Sequence, residues 1–381
     1  MTAPAPTLLL TGVTGMVGAE VLLALHRRMP DARIWCLIRP GSAQDAAARL
    51  GSVLARVFPD GAPATISALA GDLEQPGLGL SASDRAHVQA EVTEIVHGAA
   101  SVKFTMPLDE ARRINVGGTA AILDLARSCK HLQRLDYIST AYVCGGRSGT
   151  IFEEDEETGP FHNTYEQSKH EAEALLVRAW REEGLPVTRF RPSIVVGHSK
   201  TGFTPNQNTL YWPLRIYATG RWRMIPGRPE SRFDIVPVDY VAEAFAIIRA
   251  RNQPSGQAFH LTAGPEAACT TGEIAALAQQ AFGARPPVFF NPTLYMTVIR
   301  PLARLFLTGR SDVFKNGAAY LPYLNSDLVF DTALARAGLA GTGLLPPSVR
   351  TYFDNLFWYC RLSDFGRTPV DPDLLVSRGR G

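Results

Sequence analysis

Short apolar runs alternate with longer stretches of helical period along the first two thirds of the chain. The first run, Leu8-Leu9-Leu10, carries no charge, which is typical of a strand buried on both faces. The strand–helix–strand pattern repeats five times and predicts a parallel sheet with helices on both faces. The predicted strands cover residues 8–10, 33–38, 65–70, 94–96, 135–139, 186–197 and 257–262.

Three glycines follow the first predicted strand and precede a helix predicted over residues 19–29. Glycine adopts backbone angles that other residues avoid and lets a ligand approach the backbone closely. A helix start offers free N–H groups and the positive end of a dipole, so a pyrophosphate fits there. The stretch therefore predicts a dinucleotide site formed by Gly12, Thr14, Gly15, Met16, Val17 and Gly18.

Arg39 ends the second predicted strand. An Asp or Glu near this point would bind the ribose 2′-hydroxyl of NAD, whereas an Arg accommodates the 2′-phosphate of NADP. Arg49 follows one helical segment later and is placed to supply a second positive charge. Two solvated surface arginines are the alternative, but the pattern favours NADPH as the cofactor.

Small residues follow two later predicted strands. Gly71-Asp72-Leu73 ends the third strand, where the adenine edge of a dinucleotide would lie. Gly98, Ala99 and Ala100 follow the fourth strand and would let a cofactor lie against the backbone. His97, just before them, is expected to be structural rather than a base.

A helix predicted over residues 107–129 contains the unusual run Asn115-Val116-Gly117-Gly118-Thr119. A glycine inside a helix costs about 1 kcal/mol relative to alanine. We therefore expect close packing of this helix against the sheet to explain the two glycines.

Three side chains suggest the chemistry. Thr140 ends the fifth predicted strand, and Tyr165 and Lys169 have the spacing Y-x-x-x-K on a later helix. Residues i and i+4 share a helix face, so both side chains are expected to point at one spot. An ammonium group would lower the phenol pKa from its usual value of about 10. Tyr165 would then donate a proton to a carbonyl oxygen held by Thr140, while Lys169 would also hold the nicotinamide ribose.

These motifs together resemble an extended short-chain dehydrogenase/reductase. Within that superfamily the chain is most similar to the thioester-reductase and fatty acyl-CoA-reductase branch, with its male-sterility-type NAD-binding domain. The matching stretches run from the N-terminus to about residue 200 in the family's order. They are 11–18, 36–39, 71–73, 95–100, 115–119, 137–145, 163–169 and 191–197.

The resemblance implies a Rossmann-type doubly wound α/β sheet with a smaller, mainly helical C-terminal cap. It also implies an NADPH-dependent reductase of an acyl thioester, carried by a carrier protein or coenzyme A, to an aldehyde and in some members on to the alcohol. Thr140, Tyr165 and Lys169 would be the catalytic residues, and both Tyr165 and Lys169 would also contact the cofactor. The resemblance further assigns to the cofactor site Asp72, Leu73, Gly98, Ala99, Ala100, Asn115, Pro192, Ser193 and Ile194.

Other functions stay open at this point. A dehydrogenase of a ketone or alcohol would use the same three residues, as would a nucleotide-sugar epimerase. The epimerase is disfavoured because residues 198–232 show no evident uridine-site pattern. A non-catalytic NADP-binding regulator is the least favoured, because Thr140, Tyr165 and Lys169 are all present.

Composition narrows the class of protein. The 381 residues include 46% hydrophobic and 19% charged residues, which excludes a disordered chain. A net charge of +2 gives no indication of nucleic-acid binding. The five cysteines lack metal-ligand spacing, so we expect reduced thiols, no metal and a cytoplasmic location. Neither a signal peptide nor a transmembrane segment is predicted. The sequence does not distinguish a monomer from a dimer.

The βα alternation stops after residue 285, which predicts two domains and a loose tail. Residues 1–197 with about 233–265 would form the NADP-binding domain, residues 198–232 with about 266–365 the cap, and residues 366–381 the tail. Thr270 and Glu273 have capping-box spacing and predict a helix ending at Phe282. The acidic run 153–157 is expected to be a solvated loop.

The substrate side of the cleft is expected to lie in the cap. Residues Tyr211, Trp212 and 288–307 would form an apolar wall for the acyl chain. A basic entrance would receive the phosphate of a phosphopantetheine arm and an acidic carrier. Its arginines would be Arg215, Arg221, Arg223, Arg228 and Arg232.

Overall fold

Seven parallel strands form the central sheet of the computed structural model. Their order across the sheet is 3-2-1-4-5-6-7, which confirms the predicted doubly wound α/β fold. The structure describes residues 5–41, 45–205, 210–219, 224–251, 255–295, 297, 320–371, 374, 375 and 377. The strands are β1 Thr7–Thr11, β2 Arg33–Ile38, β3 Ile66–Ala70, β4 Glu94–His97, β5 Arg134–Ile138, β6 Val187–Pro192 and β7 Ala258–Leu261.

The order in which successive strands are added to the sheet reverses at β1. This strand pairs with β2 on one side and with β4 on the other, and Thr11 at its end lies opposite both Leu37 and His97. The connections that leave β1 and β4 therefore diverge to opposite sides. In open parallel sheets, ligands bind in the crevice at the carboxyl ends of such strands.

Helices bury both faces of the sheet. Leu8 and Leu10 of β1 pack into one apolar cluster, and Leu9 packs into another on the opposite face. The α-helices are Met16–Arg28, Ala46–Val57, Ala82–Glu91, Leu108–Arg112, Gly118–Ser128, Thr164–Glu183, Tyr211–Ala218, Val238–Ala250, Gly264–Ala267, Thr271–Phe282, Pro292–Leu294, Ala333–Leu339 and Val349–Leu362. Two 3₁₀ turns, Pro76–Gly79 and Ala141–Cys144, and one π-helical turn, Arg113–Gly117, complete the helical segments described.

Two predicted boundaries differ from the structure by more than one residue. The first helix begins at Met16 rather than at residue 19, because Gly15 already has the extended backbone of a helix cap. The predicted strand 186–197 is interrupted at Ser193, and Ile194–Val196 pairs instead with Ile235–Pro237. Pro192 has no N–H to donate, so the ladder with β7 ends there.

The predicted reason for the glycine pair in the helix after β4 is also wrong. A Cβ at Gly118 would make only ordinary contact with Leu73, at 3.4 Å or more, and one at Gly117 would meet only the Arg112 carbonyl oxygen, at 3.8 Å. The glycines instead mark a change of hydrogen-bonding pattern, because Gly117 ends the π-helical turn Arg113–Gly117. Such turns occur often at functional sites.

A third apolar cluster lies outside the sheet. It is built on the helix Val349–Leu362, where the rings of Phe353 and Phe357 meet edge to face at 4.1 Å. The helix Thr271–Phe282 joins it and begins at the predicted cap, where Thr270 Oγ1 accepts a hydrogen bond from the Glu273 amide at 3.1 Å. Three two-stranded ladders accompany this cluster: Arg232–Phe233 with Cys269–Thr270, Met224–Pro226 with Val288–Phe290, and Thr150–Ile151 with Val329–Phe330.

The acidic run 153–157 is not a solvated loop throughout. The Glu153 carboxylate is fully buried and accepts hydrogen bonds from the amides of His260, Leu334 and Ala335. Burial raises its pKa to about 7. Glu153 therefore caps the start of the helix Ala333–Leu339 from a distant part of the chain, a role that spacing along the sequence does not reveal.

Two features are absent from the part of the chain that the structure describes. No helix there has the length and apolar character needed to cross a bilayer. No group of three or more His, Cys, Asp or Glu side chains comes together as a metal site.

Candidate active site

A cleft of about 930 Å³ opens at the carboxyl edge of the sheet. It brings together nearly all of the residues predicted for the cofactor and for catalysis. Asn115 alone does not line it; its side chain is buried and bonds to Ser101 and Ser168. The lining includes Gly12, Thr14, Gly15, Met16, Val17, Gly18, Arg39, Arg49, Asp72, Leu73, Gly98, Ala99, Ala100, Thr140, Tyr165, Lys169, Pro192, Ser193 and Ile194.

The glycine turn has little room for side chains. Gly12 has φ +84°, and a Cβ there would lie 2.6–2.8 Å from the backbone of Gly98 and Ala99. A Cβ at Gly18 would lie 2.2 Å from the Gly12 carbonyl oxygen. Glycine is thus required at both positions by the chain itself. The helix that starts at Met16 has no capping side chain and no acidic residue in its first turn, so its free N–H groups suit a pyrophosphate.

Arg39 and Arg49 meet at the end of β2. The Arg49 guanidinium donates to the Arg39 carbonyl oxygen, and Arg39 Nη1 lies 3.1 Å from the Glu74 carboxylate. Glu74 also pairs with Arg113, which lines the cleft from the π-helical turn. The sequence pattern missed Glu74 and Arg113, although Glu74 directly follows the Gly71-Asp72-Leu73 motif.

Tyr165 lies at the start of the helix Thr164–Glu183, which Asn163 caps by accepting the Glu166 amide at 3.0 Å. Thr140 lies beside the Tyr165 hydroxyl, close enough to lower its pKa. Burial raises the pKa of Tyr165 to about 12, and the Thr140 hydroxyl only partly opposes this rise. The phenol is therefore protonated at neutral pH.

Lys169 lies one turn along the same helix, but its ammonium group is directed at β5. Lys169 Nζ donates to the Tyr137 hydroxyl at 2.6 Å and to the Ile138 carbonyl oxygen at 2.9 Å. Burial lowers the pKa of Lys169 to about 7, against the opposing effect of Glu173. The predicted lowering of the Tyr165 pKa by Lys169 is thus not found: Lys169 Nζ is bonded to Tyr137 and Ile138, and burial is the largest effect on the Tyr165 pKa.

A buried ion cluster supports the strand end that carries Thr140. Ser139 Oγ donates to Glu173 at 2.5 Å, and Glu173 also receives bonds from Arg189 at 3.1 Å and Arg191 at 2.5 Å. Burial alone would raise the pKa of Glu173, but the two arginines and Ser139 lower it to about 2. Glu173 is therefore ionised throughout the neutral range.

An aromatic cluster beside Tyr165 was not predicted. The Phe104 ring stacks on Tyr165 at 5.7 Å and on Tyr323 at 5.4 Å, while Tyr142 meets Tyr323 edge to face at 4.9 Å. The Tyr323 hydroxyl donates to the buried Glu166 carboxylate at 2.5 Å. The sequence offers no signal for this cluster, because Tyr323 is 158 positions from Tyr165.

An apolar cavity of about 170 Å³ adjoins the cleft, and Leu210 and Tyr323 line both. None of the described lining side chains is charged. Of the predicted apolar wall, Tyr211 lines the cleft and Tyr295 the cavity, whereas the Trp212 side chain and most of 296–307 lie outside the described residues. The cavity is lined chiefly by Leu210, Leu214, Tyr217, Ile225, Phe233, Ile274, Ala278, Leu321 and Tyr323.

The predicted basic entrance is not assembled as expected. Arg221 and Arg223 lie outside the described residues. Arg215, Arg228 and Arg232 do not line the cleft, and Arg228 pairs with Asp327 at 2.9 Å. The described basic residues of the cleft are Arg39, Arg49, Lys103, Arg113 and Lys169.

Comparison with known proteins agrees with this geometry. A family model described as "Male sterility protein", an NAD-binding family, matches residues 10–245. The chain belongs to this family. It is 33% identical over 271 residues to a carboxylic acid reductase of Segniliparus rugosus, covering 64% of this chain and 23% of that protein. It is 31% identical over 272 residues to the fatty acyl-CoA reductase wat of Drosophila melanogaster, covering 62% of this chain and 52% of that protein.

A solved structure matches almost the whole length of this male sterility family member. It is the terminal R domain from the myxalamid PKS-NRPS biosynthetic pathway, with a TM-score of 0.82, 29% identity, and coverage of 97% of this chain and 94% of that one. The chain spans about a quarter to a half of the two curated relatives above. The resemblance drawn from the motifs is confirmed: the chain has an NAD(P)-binding domain and is homologous to thioester reductase domains and fatty acyl-CoA reductases.

Proposed function

We propose that the chain is an NADPH-dependent reductase that converts an acyl thioester to an aldehyde. The observation that carries the proposal is the cleft itself, where Thr140, Tyr165 and Lys169 lie with the glycine turn at one edge of the sheet. Relatives described as carboxylic acid and fatty acyl-CoA reductases support the choice of an acyl substrate. We further propose that residues 198–232 and 266–365 form the cap that binds it.

When bound, the cofactor supplies a hydride to the thioester carbonyl carbon. Thr140 and the protonated Tyr165 would donate hydrogen bonds to the carbonyl oxygen as negative charge develops there. The proton of Tyr165 would then pass to that oxygen, giving a hemithioacetal. Breaking its C–S bond releases the aldehyde and the free thiol. A pKa of about 12 keeps Tyr165 in the proton-donating form.

The preference for NADPH would rest on Arg39 and Arg49. We expect Arg39→Ala to raise the KM for NADPH far more than that for NADH, because only NADPH carries the 2′-phosphate. Steady-state kinetics with both cofactors measures this. Arg33→Ala is the matched control, since Arg33 lies at the other end of β2 and pairs with Glu91 at 2.7 Å. Equal effects of Arg39→Ala on the two cofactors would contradict a 2′-phosphate site.

The apolar cavity is the proposed site for the far end of the acyl group. An apolar cavity of about 150 Å³ binds benzene, so this one suits an apolar group of about that size. Ala278 lines the cavity, whereas Ala276 on the same helix is exposed. Ala278→Leu is expected to lower kcat/KM for longer acyl thioesters while sparing acetyl and butyryl ones, and Ala276→Leu should change neither. A uniform loss across chain lengths would contradict this assignment.

One experiment tests the function as a whole. NADPH oxidation and aldehyde formation are measured with the same acyl group on coenzyme A and on a carrier protein, and either thioester should be reduced. A carrier preference would be expected of a relative of the synthetase R domains, and alcohol formation would reveal a second reduction. An enzyme inert towards every thioester but active on a ketone or alcohol would overturn the proposal.

A further inference from the structure

Buried contacts connect Lys169 with the interior of the sheet. Lys169 Nζ donates to the Tyr137 hydroxyl on β5, and Nζ lies 4.0 Å from the centre of the Tyr137 ring. The Tyr137 ring in turn packs against the His97 ring, with the two ring centres 5.5 Å apart. Thr119 Oγ1 lies 3.2 Å from His97 Nε2 at the end of β4. Tyr137, Thr119 and His97 are each about 1% exposed.

The neighbours of His97 fix the direction of its hydrogen bonds. Thr119 Oγ1 donates to the Asn115 carbonyl oxygen at 2.7 Å, so it accepts from His97 Nε2. Burial lowers the pKa of His97 to about 3, so the ring is neutral and carries one proton. That proton is on Nε2, and His97 Nδ1 therefore accepts from Thr11 Oγ1 at 2.8 Å.

The Tyr137 oxygen acts as an acceptor for Lys169. An ammonium group can only donate, so a lone pair of the Tyr137 oxygen faces Nζ at 2.6 Å. We propose that Tyr137 is a positioning residue for Lys169: it accepts one Nζ–H and holds the ammonium, in its charged form, at the wall of the cleft. The inference rests on the proposed function for the catalytic use of Lys169, but the contact itself does not.

The charged and titratable groups around Lys169 come from four elements. Tyr137 faces it from β5, and His97 from β4 carries no charge. Glu173 and Tyr165 lie one turn away on its own helix, and the Glu173 carboxylate raises the pKa of Lys169. Thr119, on the helix after the π-helical turn, contributes no charge. Loss of the Tyr137 hydroxyl would thus remove a direct acceptor that the remaining groups do not replace.

The pKa of Lys169 can be measured directly, without any substrate. The chain has five lysines, so protein labelled with ¹³C at lysine Cε gives five resonances, and Lys169→Arg identifies that of Lys169. In the unaltered protein this resonance should titrate near pH 7, well below the usual lysine value of about 10.4. A hydrogen bond to an ammonium stabilises its charged form, so Tyr137→Phe should lower this midpoint by about one pH unit.

Two further variants sharpen the test. Thr119→Val removes the acceptor of His97 Nε2 but leaves the Tyr137 hydroxyl in place, and should lower the midpoint by less than Tyr137→Phe does. Tyr352→Phe removes another buried hydroxyl, 3.2 Å from the Ile235 carbonyl oxygen and outside the cleft, and should leave the midpoint unchanged. In a pH profile of kcat/KM for a thioester, the loss of activity at high pH should shift to lower pH together with the NMR midpoint. A folded Tyr137→Phe protein whose Lys169 titrates as in the unaltered protein would overturn the inference, whatever reaction the enzyme catalyses.

Discussion

Tyr165→Phe is expected to abolish hydride transfer to a thioester while leaving NADPH binding nearly intact. A positioned proton donor typically contributes a factor of about 10² to 10⁴ to the rate. The Phe ring keeps the stacking on Phe104 but loses the hydroxyl that lies beside Thr140. Single-turnover NADPH oxidation measures the rate, and a fluorescence titration measures the cofactor Kd.

The control for this change is Tyr240→Phe, because Tyr240 is a buried tyrosine of the sheet core and does not line the cleft. Its kinetics should match those of the unaltered protein. Lys169→Ala should differ from both of these variants, because it should lower the rate of hydride transfer and also weaken cofactor binding. A Tyr165→Phe enzyme that keeps a tenth of its rate would rule out Tyr165 as the proton donor.

Glu173→Ala is expected to lower the free energy of unfolding by about 3–5 kcal/mol, as when one partner of a buried ion pair is removed. Arg189 and Arg191 would be left as two adjacent cations, with exposed side-chain fractions of only 5% and 3%. Ser139 would also lose its acceptor next to Thr140. Urea denaturation followed by circular dichroism measures the change.

The matched control is Glu183→Ala on the same helix. Glu183 pairs with Arg127 at the surface, at 2.6 Å, where solvent screens the charges. Its unfolding midpoint should scarcely move. Similar midpoints for the two variants would mean that water reaches Arg189 and Arg191 and that the cluster around Glu173 contributes little to the fold.

Local patterns predicted the parts of the site that depend on one segment of chain. The bounds of β2 agree with the prediction, because apolar runs report burial directly. The glycine turn and the Tyr165–Lys169 spacing also place their residues in the cleft as expected. These features need only a strand end, a helix start or one helix face, each of which has its own sequence signature.

Features that depend on contacts between distant segments were not predicted. The partner of Lys169 is Tyr137, 32 positions earlier on another element, and Glu153 caps a helix 181 positions later. In both cases a buried polar group takes whichever acceptor or donor the fold brings near. The sequence shows that such groups exist but not which strand end will face them.

The π-helical turn Arg113–Gly117 has a consequence for chain length. Each residue of an α-helix turns the chain by about 100°. Removing one residue from this turn would therefore rotate the helix after it relative to the helix before it. Asn115, within this turn, bonds to Ser168, and Thr119, after the turn, bonds to His97. A one-residue deletion would keep only one of these alignments. This helix is therefore intolerant of single insertions and deletions, even though its glycines are not crowded.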